Sequence, residues 1–210
     1  MKIEISFASS ADKQEIYNLR KQEYAGAQGY SVDLNTLSWN ASDDESFVMI
    51  AKQNGKIVAT MRGEAILERS VLEKKLECPW DFSTQLNLPV LLLSRAATLK
   101  SQQSMGLNLV LRYWFLKMAI LYKIPMVLGT FVEGSPRQNT LLAMGYEYFE
   151  NKLGWQQSTY RSHRPVVVAA LELASAQEQA LRYCETKLEK LPDIPIFKEP
   201  FPELRYVRNL

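Results

Sequence analysis

Apolar and polar residues alternate from the start of the chain, and Ile3, Ile5 and Phe7 predict a strand. Ser9 followed three residues later by Asp12 reads as a capping box, opening a helix from about Ala11 to Tyr24. The stretch from Ala25 to Glu45 is polar and irregular and contains Gly26 and Gly29. Strand patterns cover Phe47 to Lys52 and Ile57 to Glu64, and the Asn54-Gly55 pair between them predicts a hairpin. A short helix is expected near Glu68 to Leu76, followed by a loop through Pro79 and Pro89. Val90 to Leu99 is dense in apolar residues and predicts a central strand covered on both faces.

A polar loop, Lys100 to Met105, leads to Gly106, which opens a helix to about Tyr122. Pro125 precedes a strand over Met126 to Phe131. Ser135-Pro136 with Gln138 reads as an N-cap, a first-turn proline and a capping box, and Gly145 suits the end of that helix. A short strand over Tyr146 to Phe149, a final strand over Arg164 to Leu173 and a helix over Ala174 to Leu188 follow. There are no internal repeats. The pattern predicts one domain over 1–190 and a proline-rich tail over 191–210 that wraps the surface. This order of elements is that of an α/β (α+β) fold. A buried strand, a glycine-containing loop and a helix in mid-sheet point to a ligand at the helix N-terminus.

Composition narrows the function. The chain has 210 residues, 47% of them hydrophobic and 23% charged, with a formal net charge of +2. That is ample for a core without disulfides, and the scattered Lys and Arg lack the basic stripe of a nucleic-acid binder. The one loose basic cluster, Arg161, His163 and Arg164, reads as a solvated turn or as a dock for an acidic protein. Cys78 and Cys184 fit no metal motif, and there is a single histidine, so no metal is expected. Met1 to Ala8 lacks a signal-peptide core. The most apolar stretch, Leu107 to Tyr122, is interrupted by Asn108, Arg112 and Lys117, so no membrane span is expected and a cytoplasmic location is.

The loop reads Gln103-Ser104-Met105-Gly106-Leu107-Asn108, and the later helix ends Thr140-Leu141-Leu142-Ala143-Met144-Gly145-Tyr146. Together these resemble the acyl-donor-binding core of the GNAT acyltransferases, whose loop has the pattern Q/R-x-x-G-x-G/A. Asn108 stands where Gly or Ala is usual. The resemblance implies a mixed, mostly antiparallel central sheet flanked by helices, and an acyl-CoA or acyl carrier protein thioester as donor. It implies donor contacts from Gln103, Ser104, Met105, Gly106, Leu107 and Asn108, and from the amides around Ala97 and Leu99. The physics is that of N–H groups at a helix start facing an anion, with glycine permitting close approach.

Arg20 and Tyr24 on the first helix, Gly29-Tyr30 and Asp43-Asp44 in the long loop, Arg62 on the third strand and Ser94-Arg95 on the fourth are similar to a narrower branch. That branch holds the acyl-homoserine-lactone synthases and N-acyl amino acid synthases, which take long acyl chains from acyl carrier protein. The lactone synthases carry Glu where this chain has Leu92, which leaves the amino acid synthases as the stronger comparison. Asn108 and the lone nearby cation Lys100 suggest a weak pyrophosphate cradle, in keeping with a carrier-protein donor.

The resemblance therefore implies an N-acyltransferase acting on a small-molecule amine or amino acid. The alternatives are an acetyl-CoA-dependent N-acetyltransferase and a non-catalytic domain that binds an acyl carrier. Expected catalytic groups are Arg95 and Glu133, the latter as general base or else an exposed loop carboxylate. Leu141 replaces the tyrosine that many relatives use as acid; a thiol of pKa about 8.5 leaves without one. Arg20, Tyr30, Trp39, Asp44 and Arg62 are the expected acceptor residues, and Phe47 is a further candidate wall of an acyl or aromatic pocket. By simple alternation Arg95 shares a face with Leu91, Leu93, Ala97 and Leu99. Arg62 and Arg95 in strands require partners, which makes them a carboxylate clamp, partners of Asp43 and Asp44, or a structural ion pair. The helix from Gly106 is apolar nearly all round, and its second cover is the C-terminal helix, the other subunit of a homodimer or an acyl chain.

Overall fold

The computed structural model describes residues 2–25, 30–32, 34–135, 137–150, 160–162, 166–191, 196–197 and 199–207. Gly26, Gly29, Pro136, His163 and Arg164 lie outside these residues, as do the side chains of Tyr30 and Arg161. The strands are β1 (Ile3–Phe7), β2 (Tyr30–Val32), β3 (Phe47–Gln53), β4 (Lys56–Ile66), β5 (Val90–Thr98), β6 (Met126–Val132), β7 (Glu147–Glu150), β8 (Tyr160–Ser162), β9 (Val166–Glu172) and β10 (Ile196–Phe197). The helices are α1 (Lys13–Ala25), α2 (Ala41–Asp44), α3 (Arg69–Leu76), α4 (Leu107–Leu121), α5 (Arg137–Ala143) and α6 (Leu173–Leu188).

Eight strands form one mixed, mostly antiparallel sheet in the order β10-β1-β3-β4-β5-β6-β9-β7. Only β1 with β10 and β5 with β6 run parallel in it. The short strands β2 and β8 pair separately; β2 lies in the stretch from Ala25 to Glu45, whose polar, irregular pattern predicts no strand. The β3–β4 hairpin turns at Asn54 (φ 51°) and Gly55 (φ 79°), a left-handed pair that this dipeptide adopts readily. Ser9 opens the first helical segment as expected: its N–H and its hydroxyl both donate to Asp12 Oδ2, at 2.8 and 2.7 Å.

Burial divides along the strand period. Met49, Met61, Leu91, Leu93 and Val127 face α4 and α6, where Phe115, Leu111 and Met118 fill the main core. Val48, Ile50 and Ile57 face Ile16 and Leu19 of α1. Ile66, Leu92, Met126 and Leu128 face α3, with Val71, Leu72 and Leu76. Both faces of the central strands are thus covered, which explains their near-continuous apolar sequences.

The cover of α4 is α6 together with the C-terminal segment. The Trp114 ring stacks on Phe197 with centroids 4.6 Å apart, Phe201 packs beside them, and the Tyr122 hydroxyl donates to the Pro202 carbonyl. Val207, 4% exposed, donates its N–H to the Ala65 carbonyl at 2.9 Å. One local expectation is replaced. The Ser135 hydroxyl, shielded from solvent, caps nothing, and the Gln138 side chain instead accepts from Gly134 N–H at 2.9 Å.

Candidate active site

Strands β5 and β6 pair from Val90 with Met126 to Leu93 with Gly129, and then separate. Beyond that point β6 stays with β9 as far as Val132, and β5 stays with β4 as far as Thr98. A bulge sits at the separation: Ser94 pairs with Arg62 and Ala97 with Thr60, so Arg95 and Ala96 oppose Met61 alone. Arg95 takes φ +49°, a left-handed conformation that costs a side-chain-bearing residue roughly 1 kcal/mol or more.

This bulge corrects the alternation expected for Arg95. Leu91 and Leu93 face α4, but Ala97 packs with the α1 cluster, and Arg95 reaches to that same side. One extra residue reverses the faces beyond it. Arg95 Nη1 donates to Asp43 Oδ2 at 3.0 Å and to the Ser38 carbonyl at 3.1 Å, and Nη2 donates to the Thr36 carbonyl at 2.8 Å. These bonds hold the strained residue in place.

Asp43 is fixed by its own helix start. Asn40 caps α2, accepting from Asp43 N–H at 3.3 Å, while Asn40 N–H donates to Asp43 Oδ2 at 3.2 Å. Around this carboxylate, whose side chain is fully shielded, stand Arg20 at 3.0 Å, Arg95 at 3.0 Å and Arg62 at 3.7 Å. Arg62 also pairs with Glu64 at 2.9 Å and donates to the Ser94 hydroxyl at 3.0 Å. Ser94 donates in turn to Glu64, and Lys75 closes the chain at 2.9 Å from the other Glu64 oxygen. Arg20 is 0% exposed; burial pulls its guanidinium below the ordinary range, against the pull of Asp43.

Two cavities meet at the bulge. One of about 500 Å³ lies between the end of β5, the start of α4 and the end of β6, and is lined by Ala96, Ala97, Gln103, Gly106, Asn108 and Leu141, among others. The other, about 140 Å³, is lined by Arg62, Glu64, Lys75, Ser94 and Arg95. Tyr24, Ala96, Arg112, Phe131 and Arg137 belong to both.

The loop expected to meet the donor is a 3₁₀ turn over Lys100–Met105 that passes through Gly106 (φ 64°) into α4. First-turn N–H groups of such a helix have no intrahelical partner. Gln103, Gly106 and Asn108 line the larger cleft. Ser104 is exposed, Met105 packs on the main core and Leu107 is buried in it, so none of these three side chains lines the cleft. Leu99 donates its amide to the Val58 carbonyl at 2.9 Å. Glu23 of α1 also lines the cleft; it accepts from Lys100 N–H at 3.1 Å and from Gln103 Nε2 at 3.4 Å, placing a carboxylate beside the loop.

Other expected residues stand elsewhere. Glu133 is exposed in the turn after β6 and lines neither cavity. Trp39 and Asp44 form a separate outer group: Trp39 Nε1 donates to Asp44 at 2.7 Å, and Lys13 binds Asp44 at 2.8 Å while lying over the Trp39 ring. Those two hydrogen bonds, from Lys13 first and then Trp39, hold the Asp44 carboxyl below its ordinary range. Phe47 is core, edge-on to Phe7.

Sequence reasoning did not single out Glu23, Glu64, Lys75 or Arg112 as site residues. Arg112 projects from α4 into both cavities, is 6% exposed and donates to the Tyr146 hydroxyl at 3.1 Å. Burial raises the Tyr146 phenol, opposed by the Arg112 charge, and pushes the Cys184 thiol up to about 12 against the same charge. Among the described residues there is no cluster of three or more potential metal ligands, and no helix long and apolar enough to cross a membrane.

No protein-family model matches the sequence, and no curated protein is similar to it. Solved structures match the fold. The CoA-dependent acyl-homoserine lactone synthase BjaI superposes with a TM-score of 0.65 at 14% identity, over 95% of each chain. FeeM, an N-acyl amino acid synthase from uncultured soil microbes, gives 0.58 at 12% identity, over 87% of this chain and 98% of its own. The ribosomal-protein-S18-alanine N-acetyltransferase of Escherichia coli gives 0.55 at 15% identity, over 81% and 93%. The architecture is the GNAT fold.

Proposed function

We propose that this protein is an N-acyltransferase that moves an acyl group from a pantetheine thioester, on coenzyme A or an acyl carrier protein, to the amino group of an amino acid. One observation carries this reading. The smaller cavity, which opens onto the donor cleft at the bulge, is lined by five cationic side chains and two acidic ones. Among the described residues, four buried or half-buried cations, Arg20, Arg62, Arg95 and Lys75, form ion pairs with two carboxylates, Asp43 and Glu64. Such an excess favours an incoming carboxylate, and Arg presents the fork that matches one.

The pantetheine arm lies in the gap between β5 and β6. The bulge takes Arg95 and Ala96 out of the sheet ladder, and backbone N–H groups there polarise the thioester carbonyl. Arg62 and Arg95 hold the acceptor's carboxylate so that its neutral amine meets that carbonyl. The nitrogen attacks the carbonyl carbon, a C–N bond forms, the C–S bond breaks, and the electron pair leaves with sulfur as thiolate. The amine's proton passes to solvent. The Glu23 carboxylate beside the loop disfavours a diphosphate there, which supports a carrier-protein donor over free coenzyme A.

Thiol release from acetyl-CoA and from long-chain acyl carrier protein, measured with a panel of amino acids and their carboxamides, tests the reading. The amino acids are expected to be consumed at least about a hundredfold faster than their carboxamides. Equal rates would remove the carboxylate clamp, and a primary amine lacking the carboxylate would then be the acceptor. A binding-only role has its own support, since Glu133 stands outside the cleft and position 141 is Leu. Donor binding without thiol release under any condition would establish that role.

A further inference from the structure

Arg112 is a buried cation without a counter-charge. It is 6% exposed, and among the described residues no carboxylate forms an ion pair with it. Among the described residues its hydrogen bond goes to the hydroxyl of Tyr146, a neutral group, and its guanidinium also lies over that ring, 5.6 Å from the centroid. Asn108 lies one turn earlier on the same face of α4, and its Nδ2, shielded from solvent, has no hydrogen-bond partner. The Ser135 hydroxyl is shielded and without a partner too. All three side chains line the larger cleft. Each unsatisfied buried donor costs about 1–3 kcal/mol, so an alkyl chain laid against Asn108 Nδ2 and the Ser135 hydroxyl is penalised, and the Arg112 charge beside them favours an anion.

The geometry says which part of a ligand meets these donors. Arg112 is six residues beyond Gly106, about 9 Å along the helix from its anion-facing start. It borders both cavities together with Ala96 of the bulge, where the thioester carbonyl is held. The acceptor's carboxylate is already met by Arg62 and Arg95. What remains for Arg112 is the acyl group.

We infer that the transferred acyl group carries a carboxylate of its own, as in the half-thioester of a short dicarboxylic acid, and that Arg112 receives it with Asn108 and Ser135 as accessory donors. This rests on the acyl-transfer reading. The distal carboxylate is unchanged in the reaction, while the C–N bond forms and the C–S bond breaks as described above.

Two pantetheine thioethers test it without turnover: S-carboxypropyl-pantetheine, which mimics a dicarboxylic acyl group, and S-butyl-pantetheine, its apolar counterpart. Both carry the arm common to coenzyme A and carrier proteins. Binding is measured by titration calorimetry on full-length protein. The wild type is expected to bind the carboxypropyl compound at least about tenfold more tightly than the butyl one. Arg112→Met is expected to abolish or reverse that preference, and Arg112→Lys to keep part of it. Unliganded Arg112→Met protein is expected to melt at or above the wild-type temperature, since an unpaired buried charge has been removed; a purely structural arginine would give the opposite shift. Equal binding of the two compounds by wild type, or a preference that survives in Arg112→Met, overturns the inference and leaves acyl transfer standing. Binding of neither compound overturns both.

Discussion

Asp43 shows how much one side chain can carry. Its carboxylate completes the capping box of α2 by accepting from Asn40 N–H and faces three guanidiniums, two of them at 3.0 Å. Neutralising it leaves those cations buried and mutually repelling. Asp43→Asn is therefore expected to cost about 3–5 kcal/mol in urea denaturation, the range for breaking a buried ion pair from one side. Asp44→Asn, one residue on, removes a carboxylate that is largely in solvent and should leave the midpoint nearly unchanged. A fall of similar size in both variants would mean that the arginines are balanced elsewhere. At this scale sequence reading reaches the residue types but not their directions. Arg62 and Arg95 are legible as strand charges in need of partners, and Arg20 as a helix residue expected at the acceptor. Which of two adjacent aspartates turns inward depends on the Asn40 cap and has no signature of its own. Arg112 is visible in the sequence only as an interruption of an apolar run. That it points into the cleft, and not to solvent, is decided by the rotation of α4 on the sheet.

At the scale of elements, period and turn chemistry predict nearly every strand and helix of the sheet, because Asn54-Gly55, the Ser9–Asp12 box and the apolar run from Val90 each act locally. The bulge at Arg95 escapes because it is a register event between two strands, visible only once β4 and β5 are paired. A second contact of this kind sets the fit of helix to sheet. A Cβ on Gly63 of β4 would lie 2.4 Å from Phe115 Cε1, and Phe115 is fully buried with no room to swing. Gly63→Ala is expected to destabilise by about 1–3 kcal/mol, the usual cost of overpacking. Phe115→Leu in the same chain should recover part of that loss in chemical denaturation, although Phe115→Leu alone is destabilising. Strictly additive losses in the double variant would place the strain elsewhere. Because α4 also carries Asn108 and Arg112, a shift of this helix against β4 would reach the cleft as well as the core.

At the scale of the molecule, the C-terminal segment ties distant parts of the sheet together. Ile196 and Phe197 extend the sheet beside β1, and Phe197 and Phe201 cover Trp114 of α4. Further on, Arg205 donates to the Ser46 carbonyl just after α2 and lies over the Phe47 ring, while Val207 binds the Ala65 carbonyl at 2.9 Å. The proline-rich composition conceals this role, since the few aromatic residues among the prolines have no period from which a buried face can be read. The apolar surface of α4 states the need for a cover without naming it. Truncation after Leu191 would bare the β1 edge and the Trp114 surface together, and would free the segment that follows Asp43. Losing two packed phenylalanines and the strand pairing is expected to cost at least about 4 kcal/mol, with a lower melting temperature and increased binding of a hydrophobic dye. A truncated protein that melts with the wild type would show that α6 alone covers α4. If instead the core loosens, the same variant should also bind the carboxypropyl thioether more weakly. The helix that carries Arg112 and the short helix that carries Asp43 are braced by one strap, and both cavities at the bulge should weaken together when it is removed.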